Sequence, residues 1–353
     1  MFNRKTLFVV GAGASHDFGL PVGRNLAEVI ASRTKVVLDR FGRIGPGTVD
    51  DELALCFFER SDPKINEYAN AFRLISNGIL LANSIDDFLN IHEASEEIVT
   101  VGKAAIIRSI LNAERQSKLF VDPSNVYNTL DVRNIRDSWL VKFMQVLGPG
   151  NKAADPERVL DNVSFIVFNY DRCLEHFLIN SLQLVFGMQK QQATDIVARA
   201  NIIHPYGSVG PLDKVAFGGN QIRQNFRELS KAIKTYTERV EEESTIDSMH
   251  NALEEAQCVV FLGFAYHRQN MAFLKPRPSQ ETKQIYGTAL NMSDSDVGVV
   301  VDELSAFFPD IEARELQKFG HVHSTNAAHD NIRIENKLDC SALFDYYAKS
   351  LAG

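Results

Sequence analysis

The sequence predicts an α/β protein built on a doubly wound parallel sheet with a large α-helical insertion. Three observations carry that prediction. Short runs of strand type recur along the chain, with TLFVV at 6–10 and VSFIVF at 163–168 the clearest. Each is followed by residues of helical spacing, the alternation that gives buried parallel strands with helices on both faces. The first run also leads through the turn GAGAS into a helical segment, a strand, turn and helix order suited to holding a phosphate.

The elements follow in chain order. Helical spacing resumes at Arg24 to Ser32 after the glycine turn, and between about 50 and 150 apolar residues recur three and four apart, as in FRLISNGILLANSIDDFLNIHEA and VGKAAIIRSILNAERQSKLF. That stretch is expected to be a helical insertion at about 46–158, dividing a core made of 1–45 and 159–300. The second strand delivers Asn169, Tyr170 and Asp171 to its carboxyl end, before a helix from Arg172 to Phe186. A third run, ANIIH, delivers His204; a fourth, Cys258 to Leu262, ends at Gly263; a fifth, near Gln284 to Tyr286, ends at Gly287. Between the third and fourth strands, 221–257 reads as polar and helix-rich, with an acidic run at Glu241 to Glu243. Residues 301–353 are expected as a helical tail, with helices to Phe307, to about Phe319, and from Ser341 to Leu351.

Composition narrows the classes of function. Of 353 residues, 45% are apolar and 23% charged, the balance of a globular chain with a sizeable core. With 37 basic and 45 acidic residues the net charge is −8, so no global positive field would hold a nucleic acid or an anionic membrane. Cys56, Cys173, Cys258 and Cys340 stand far apart and form no CxxC pair, the pattern of free thiols in a reducing compartment. The apolar start is too short for a signal peptide, and no stretch approaches the roughly 20 apolar residues of a membrane span. A cytoplasmic location is the expectation. His321, His323 and His329 have no paired carboxylate or helical spacing for a metal, so none is expected.

In the glycine turn, Gly11, Ala12, Gly13 and Ser15 would let backbone N–H groups approach a pyrophosphate at a helix N-terminus. One reading is a Rossmann-like dehydrogenase fingerprint, with Asp39 at the end of KVVLD near the place of a ribose-binding carboxylate. The third glycine position holds His16, however, whose side chain would obstruct close packing of helix on strand.

The longer segment GAGASHDFGLPVGR resembles the opening signature of the sirtuin fold, in which a GAG-x-S turn precedes a Gly-Ile-Pro element and an arginine; Gly19, Leu20, Pro21 and Arg24 match it. FNYD at 168–171 resembles the sirtuin segment with an asparagine and an aspartate two apart. HPYGS at 204–208 is similar to its His-Gly segment, and Gly263 in VVFLGFAY to the later glycine turn that holds the cofactor. These motifs cover about 5–45 and 160–290. Val22 and Gly23 replace an Asp-Phe pair, Phe168 replaces a glutamine, and Pro205 and Tyr206 separate His204 from Gly207 and Ser208. Lacking also the paired zinc cysteines of the deacylases, the chain resembles more closely the sirtuin-like bacterial antiphage proteins that destroy NAD. SIDDFL at Ser84 to Leu89 is of the kind they carry.

The resemblance implies an NAD glycohydrolase releasing nicotinamide and ADP-ribose, without a metal. It implies that Asn169 orients water or the ribose hydroxyls, that His204 is the base, and that Asp171 holds nicotinamide or Asn169. Gly11, Ala12, Gly13, Ser15, Pro21, Arg24, Gly207, Ser208 and Gly263 would bind the cofactor, with His16, Asp17 and Tyr206 near its mouth. It further implies a homo-oligomer gated by a partner such as a hexameric motor ATPase or a short Argonaute. Read without it, Asn169 and Asp171 suit helix caps, His204 a loop histidine bonded to backbone, and Ser84 with Asp87 a capping box. A non-catalytic domain binding NAD or ADP-ribose, and an NAD-dependent deacylase, are the alternatives.

Overall fold

The computed structural model describes the chain except residues 59–61, 126, 153–155, 220–223, 236–237, 239–242, 278–281 and 309–330. It is an α/β protein with a six-stranded, all-parallel, Rossmann-like sheet in the order β3-β2-β1-β4-β5-β6. The strands are β1 (Thr6–Val10), β2 (Val163–Val167), β3 (Ile202–Ile203), β4 (Cys258–Leu262), β5 (Gln284–Thr288) and β6 (Ile332–Glu335). Every residue of β1 and β4 is buried, as expected of central strands covered on both faces.

The period of two along each strand sorts these residues between two helical layers. Leu7 and Val9 face one way with Ile166, Val259, Phe261 and Ile285. Against them lie α1 (Gly23–Arg33), α2 (Ile65–Gly78), α3 (Ile85–Ile91) and α4 (Glu96–Gln116). Phe8 and Val10 face the other way with Phe165, Val167, Val260 and Leu262. There they meet α5 (Trp139–Leu147), α6 (Cys173–Phe186) and α7 (Lys190–Arg199). The second core centres on aromatic rings: Phe8 stacks on Phe165 at 5.4 Å and meets Phe143 edge-on at 5.5 Å. After β3 the first layer is completed by α8 (Glu243–Glu255), α9 (Arg268–Leu274) and α10 (Asp294–Phe307). The last helix, α11 (Cys340–Ala352), joins the second.

The expected helical stretch between β1 and β2 is present, and α4 is its axis. Ser95 caps it by accepting the Ile98 amide, and residues 101–107 are buried without interruption. Gly102 lets α3 come close, since a Cβ there would stand 2.4 Å from Leu89. The two charged residues buried in α4 are paired: Lys103 reaches Glu238 at 2.5 Å, and Glu114 reaches Arg172 at 2.5 Å.

Two features depart from the sequence reading, and one expected element cannot be compared with it. A sixth strand, β6, pairs with β5 from Ile285↔Ile332 to Thr288↔Glu335, so the segment expected as a helical tail also supplies a sheet edge. The expected helix to about Phe319 falls outside the described residues. KVVLD forms no strand of the sheet: Leu38 bridges Ile44, and the exposed Asp39 accepts the amides of Phe41 and Arg43. A turn carboxylate of that kind is not the ribose-binding group of a dehydrogenase, which ends the strand beside β1. Among the described residues no helix is long and apolar enough to cross a membrane.

Candidate functional site

In this strand order the connections reverse direction between β1 and β4, and the crevice beyond their carboxyl ends is where such sheets bind ligands. Here the two loops press backbone on backbone. Gly13 N–H donates to the Gly263 carbonyl at 3.0 Å, and Gly11 N–H to Leu262. A Cβ on Gly11 would lie 2.5 Å from the Gly263 oxygen, and one on Gly263, whose φ is +56°, would lie 2.1 Å from the Ala14 nitrogen. The glycines are therefore required by loop against loop. With the Ala14 amide returning to the Gly11 carbonyl, three amides of the turn are engaged inside the protein. Ala12 and Gly13 nonetheless present exposed faces at the rim.

The residues after β2 keep the strand's alternation. Phe168 and Tyr170 belong to the first core, with Ile166; Asn169 and Asp171 turn to the opposite side, where Ser15 arrives from the 3₁₀ segment Ala12–Phe18. Asn169 Nδ2 donates to Ser15 Oγ at 3.0 Å. Asn169 is only 5% exposed, yet its Oδ1 has no hydrogen-bond partner. An acceptor oxygen buried unpaired is costly, typically about 1–3 kcal/mol, and suits a ligand that brings a hydroxyl or amide. Asp171 Oδ1 accepts the Cys173 amide at 3.0 Å, so this carboxylate does hold the first turn of α6. Burial pushes its pKa up, with hydrogen bonds from Cys173 and Ser15 pulling it back.

His204 follows β3 and reaches the same cluster. Its Nδ1 lies 3.2 Å from the Asn169 carbonyl oxygen, and its Nε2 lies 2.6 Å from Oε1 of Glu175. Burial would lower the imidazolium's pKa, but the charge and hydrogen bond of Glu175, joined by the Asn169 carbonyl and the Asp171 charge, carry the net shift upward. Burial would raise Glu175, but the charge and hydrogen bond of His204, a backbone hydrogen bond and the Arg172 charge together bring it down. His204 is thus more than the backbone-satisfied loop histidine of the plain reading. Ser15, Asn169, Asp171 and His204 come together from three strand ends.

An aromatic wall backs the cluster. Phe168 packs on Phe264 at 5.1 Å and on Tyr206 at 6.1 Å. Tyr206 is buried and donates to Asn270 at 2.8 Å, so it lies inside the wall rather than at an open mouth. Tyr170 donates to Asp86 of the SIDDFL segment, whose Ser84 caps α3 through the Asp87 amide at 3.0 Å. Burial raises the Asp86 carboxyl and drives the Tyr170 phenol well above its ordinary value, the nearby Asp86 charge adding to it. Gly207, at φ +71°, bridges Ile233, and Ser208 lies two residues before Gly210, whose amide it accepts at 3.4 Å.

Behind the cluster, Arg172 is 1% exposed and Glu114 fully buried. Arg172 pairs with both Glu114 oxygens and donates to the carbonyls of Gly210, Val215 and Ala216. This fastens α4 and the 210–216 loop to the start of α6. Glu114, Arg172, Glu175, Asp86 and Asn270 were missed in the sequence. Two carried a signal: Asp86 through its place in the SIDDFL segment, and Glu175 as an acid four residues beyond Asp171 in a first helical turn.

Other expected residues lie toward the surface. Arg24 and His16 are exposed, and Pro21 and Asp17 partly so. His321, His323 and His329 lie outside the described residues, among which no group of three or more side chains is arranged to hold a metal. The four cysteines form no disulfide with one another. A cavity of about 430 Å³ opens between α2 and α3 beside Leu81 and His92, and one of about 330 Å³ lies at the amino-terminal sheet edge beside Lys5 and Asn201. Both are remote from the strand ends carrying the cluster. No family model matches the chain, and no curated protein is similar enough to it to count as a match.

Proposed function

We propose that the cluster beyond β1, β2 and β3 cleaves the nicotinamide glycosidic bond of NAD, releasing nicotinamide and ADP-ribose. The observation that carries this reading is the buried, unpaired Asn169 Oδ1 beside Ser15, on the residue whose carbonyl faces His204. Nicotinamide leaves readily because its ring nitrogen is cationic. The protein need only hold the ribose, place an oxygen nucleophile against C1′ and accept one proton, work worth about 10²- to 10⁴-fold for a well-placed base. Asn169 Oδ1 accepts from the water or a ribose hydroxyl, and His204 takes the proton as the C1′–O bond forms and the C1′–N bond breaks. The exposed edge of the turn at Ala12 and Gly13 is the place for the pyrophosphate. The motifs resembling sirtuin-like defence proteins support this choice over other α/β chemistries.

A second reading is favoured by a specific observation. Both His204 ring nitrogens are engaged, and Asn169 and Asp171 are almost wholly buried, which suits a domain that holds NAD or ADP-ribose without turning it over. Gating by self-association, or by a motor ATPase or short Argonaute partner, would reconcile the two: the cluster would open only in the assembly. Incubating the purified chain with NAD over a range of protein concentrations, with light scattering on the same samples, separates them. Nicotinamide release without an acyl-peptide supports the hydrolase. Saturable NAD binding with no nicotinamide at any concentration supports the binding domain, and turnover only with acyl-lysine would overturn both.

A further inference from the structure

The geometry points to Glu175 as the positioning residue for His204, holding a proton on Nε2 so that Nδ1 is the nitrogen that accepts one. This rests on the glycosidic-cleavage reading for its consequence in turnover, but the pairing is a property of the chain itself.

An ionised carboxylate can only accept, so the contact of 2.6 Å between Glu175 Oε1 and His204 Nε2 requires the hydrogen on Nε2. That length is typical of a charge-assisted bond. Both side chains are mostly buried, at 18% and 14% exposure, so water screens the pair weakly. The other ring nitrogen is differently placed. Its neighbour is the Asn169 carbonyl at 3.2 Å, a longer contact that is favourable only while Nδ1 carries a hydrogen. Once Nδ1 loses it, two acceptors face each other, and a hydroxyl or water entering there gives its hydrogen to Nδ1.

The proton balance is complete without other groups. The proton leaves the water or ribose hydroxyl and goes to Nδ1, Nε2 keeps its own, and Glu175 stays ionised opposite the imidazolium. Glu175 is anchored for this by its position in the first turn of α6, and the buried Arg172 favours its ionised form. The charged groups facing His204 are Glu175 from α6 and Asp171 from the end of β2, both of which favour the cation.

The test uses the full chain with ¹⁵N-labelled histidine. Ring-nitrogen shifts of His204, assigned with His204→Gln, are followed against pH in the wild type and in Glu175→Gln and Glu175→Ala. In the wild type the neutral form should carry its hydrogen on Nε2. Loss of the carboxylate charge should move half-protonation down by about one pH unit or more, and Glu175→Ala should mix the tautomers. On NAD, the acid limb of kcat/KM should move down by the same interval in Glu175→Gln. kcat above that limb should fall about tenfold or more, with KM little changed, because a weaker base remains. Identical titration curves in wild type and Glu175→Gln, or a neutral wild-type form protonated on Nδ1, would overturn the proposal. A variant that melts earlier with its pH limb unmoved would show Glu175 to be structural only. If the wild type fails to release nicotinamide, the hydrolase reading fails, and the nitrogen titration still decides the pairing.

Discussion

Tyr170 donates its hydroxyl to Asp86, while the residues on either side of it, Asn169 and Asp171, turn toward Ser15 and α6. One tripeptide therefore reports to both sides of the sheet, and the helical layer holding Asp86 is bonded to the segment that carries the candidate site. Tyr170→Phe would leave the Asp86 carboxyl buried without its donor. A stability loss of about 1–3 kcal/mol is expected, measured by urea denaturation, and a larger loss of NAD turnover than of stability would show that the layer sets the position of Asn169.

Asn169→Ala removes the bond to Ser15 and the unpaired Oδ1 together. Stability should change by about 1 kcal/mol or less, since one hydrogen bond goes but an unsatisfied acceptor goes with it. Nicotinamide release should fall by about a hundredfold or more. Retained turnover in a folded Asn169→Ala protein would remove this residue from the site.

Gly13→Val and Gly263→Ala are expected to harm the fold before they harm any ligand. Gly263 combines φ +56° with a Cβ position 2.1 Å from the Ala14 nitrogen, and Gly13 would press on the Gly263 carbonyl. Lowered melting temperature in the absence of NAD is the expected result for both. Binding measurements on such variants report on the β1–β4 loop contact, so Ser15→Ala is the better probe of the pocket.

Arg172 and Glu114 form a buried pair, and removing one partner of such a pair costs about 3–5 kcal/mol. Arg172→Met and Glu114→Leu should each destabilise strongly, while the two changes together should recover part of the loss. Chemical denaturation of the four proteins gives the coupling directly.

His176 gives the pH prediction. Buried against Phe217 and bonded to the Leu119 carbonyl, its imidazole is pushed down by burial from 6.5 to about 4. The unfolded chain binds a proton between those values that the folded chain refuses. The contribution is whole above 6.5 and is lost as pH falls toward about 4, at up to about 1.4 kcal/mol per pH unit. The stability difference between wild type and His176→Gln should therefore shrink across that interval. A constant difference would show that His176 titrates as in the unfolded chain.

The strands that end at the site were legible because each is an apolar run closed by a glycine or a polar residue, and Asn169 and His204 stand at such ends. Their partners were not. Glu175 lies 29 residues from His204 in sequence, and Asp86 lies 84 from Tyr170, so no local pattern joins them. Gly11 and Gly13 were recognised as places of close approach, but what approaches is Gly263, which only the pairing of β1 with β4 brings near. β6 escaped notice for a different reason: IRIE is four residues long and only Ile332 is fully buried, so its apolar signal is that of an edge. Ser84 and Asp171 behaved as a reading of caps would have them, since a cap is decided by residues two or three positions apart.

The order of the sheet also governs how the chain can assemble. β1 leaves the ribosome first but finds its neighbours only at Val163 and Cys258, the partners of Thr6. Until β2 emerges, TLFVV is an apolar strand with two open edges, while the helices that follow it already have local partners in α2, α3 and α4. Closing so long a loop is slow, and exposed strand edges aggregate in the meantime. Refolding at raised concentration should therefore lose material chiefly through this first strand. A charged substitution at Leu7 would improve the solubility of the nascent chain only by abolishing the sheet it nucleates.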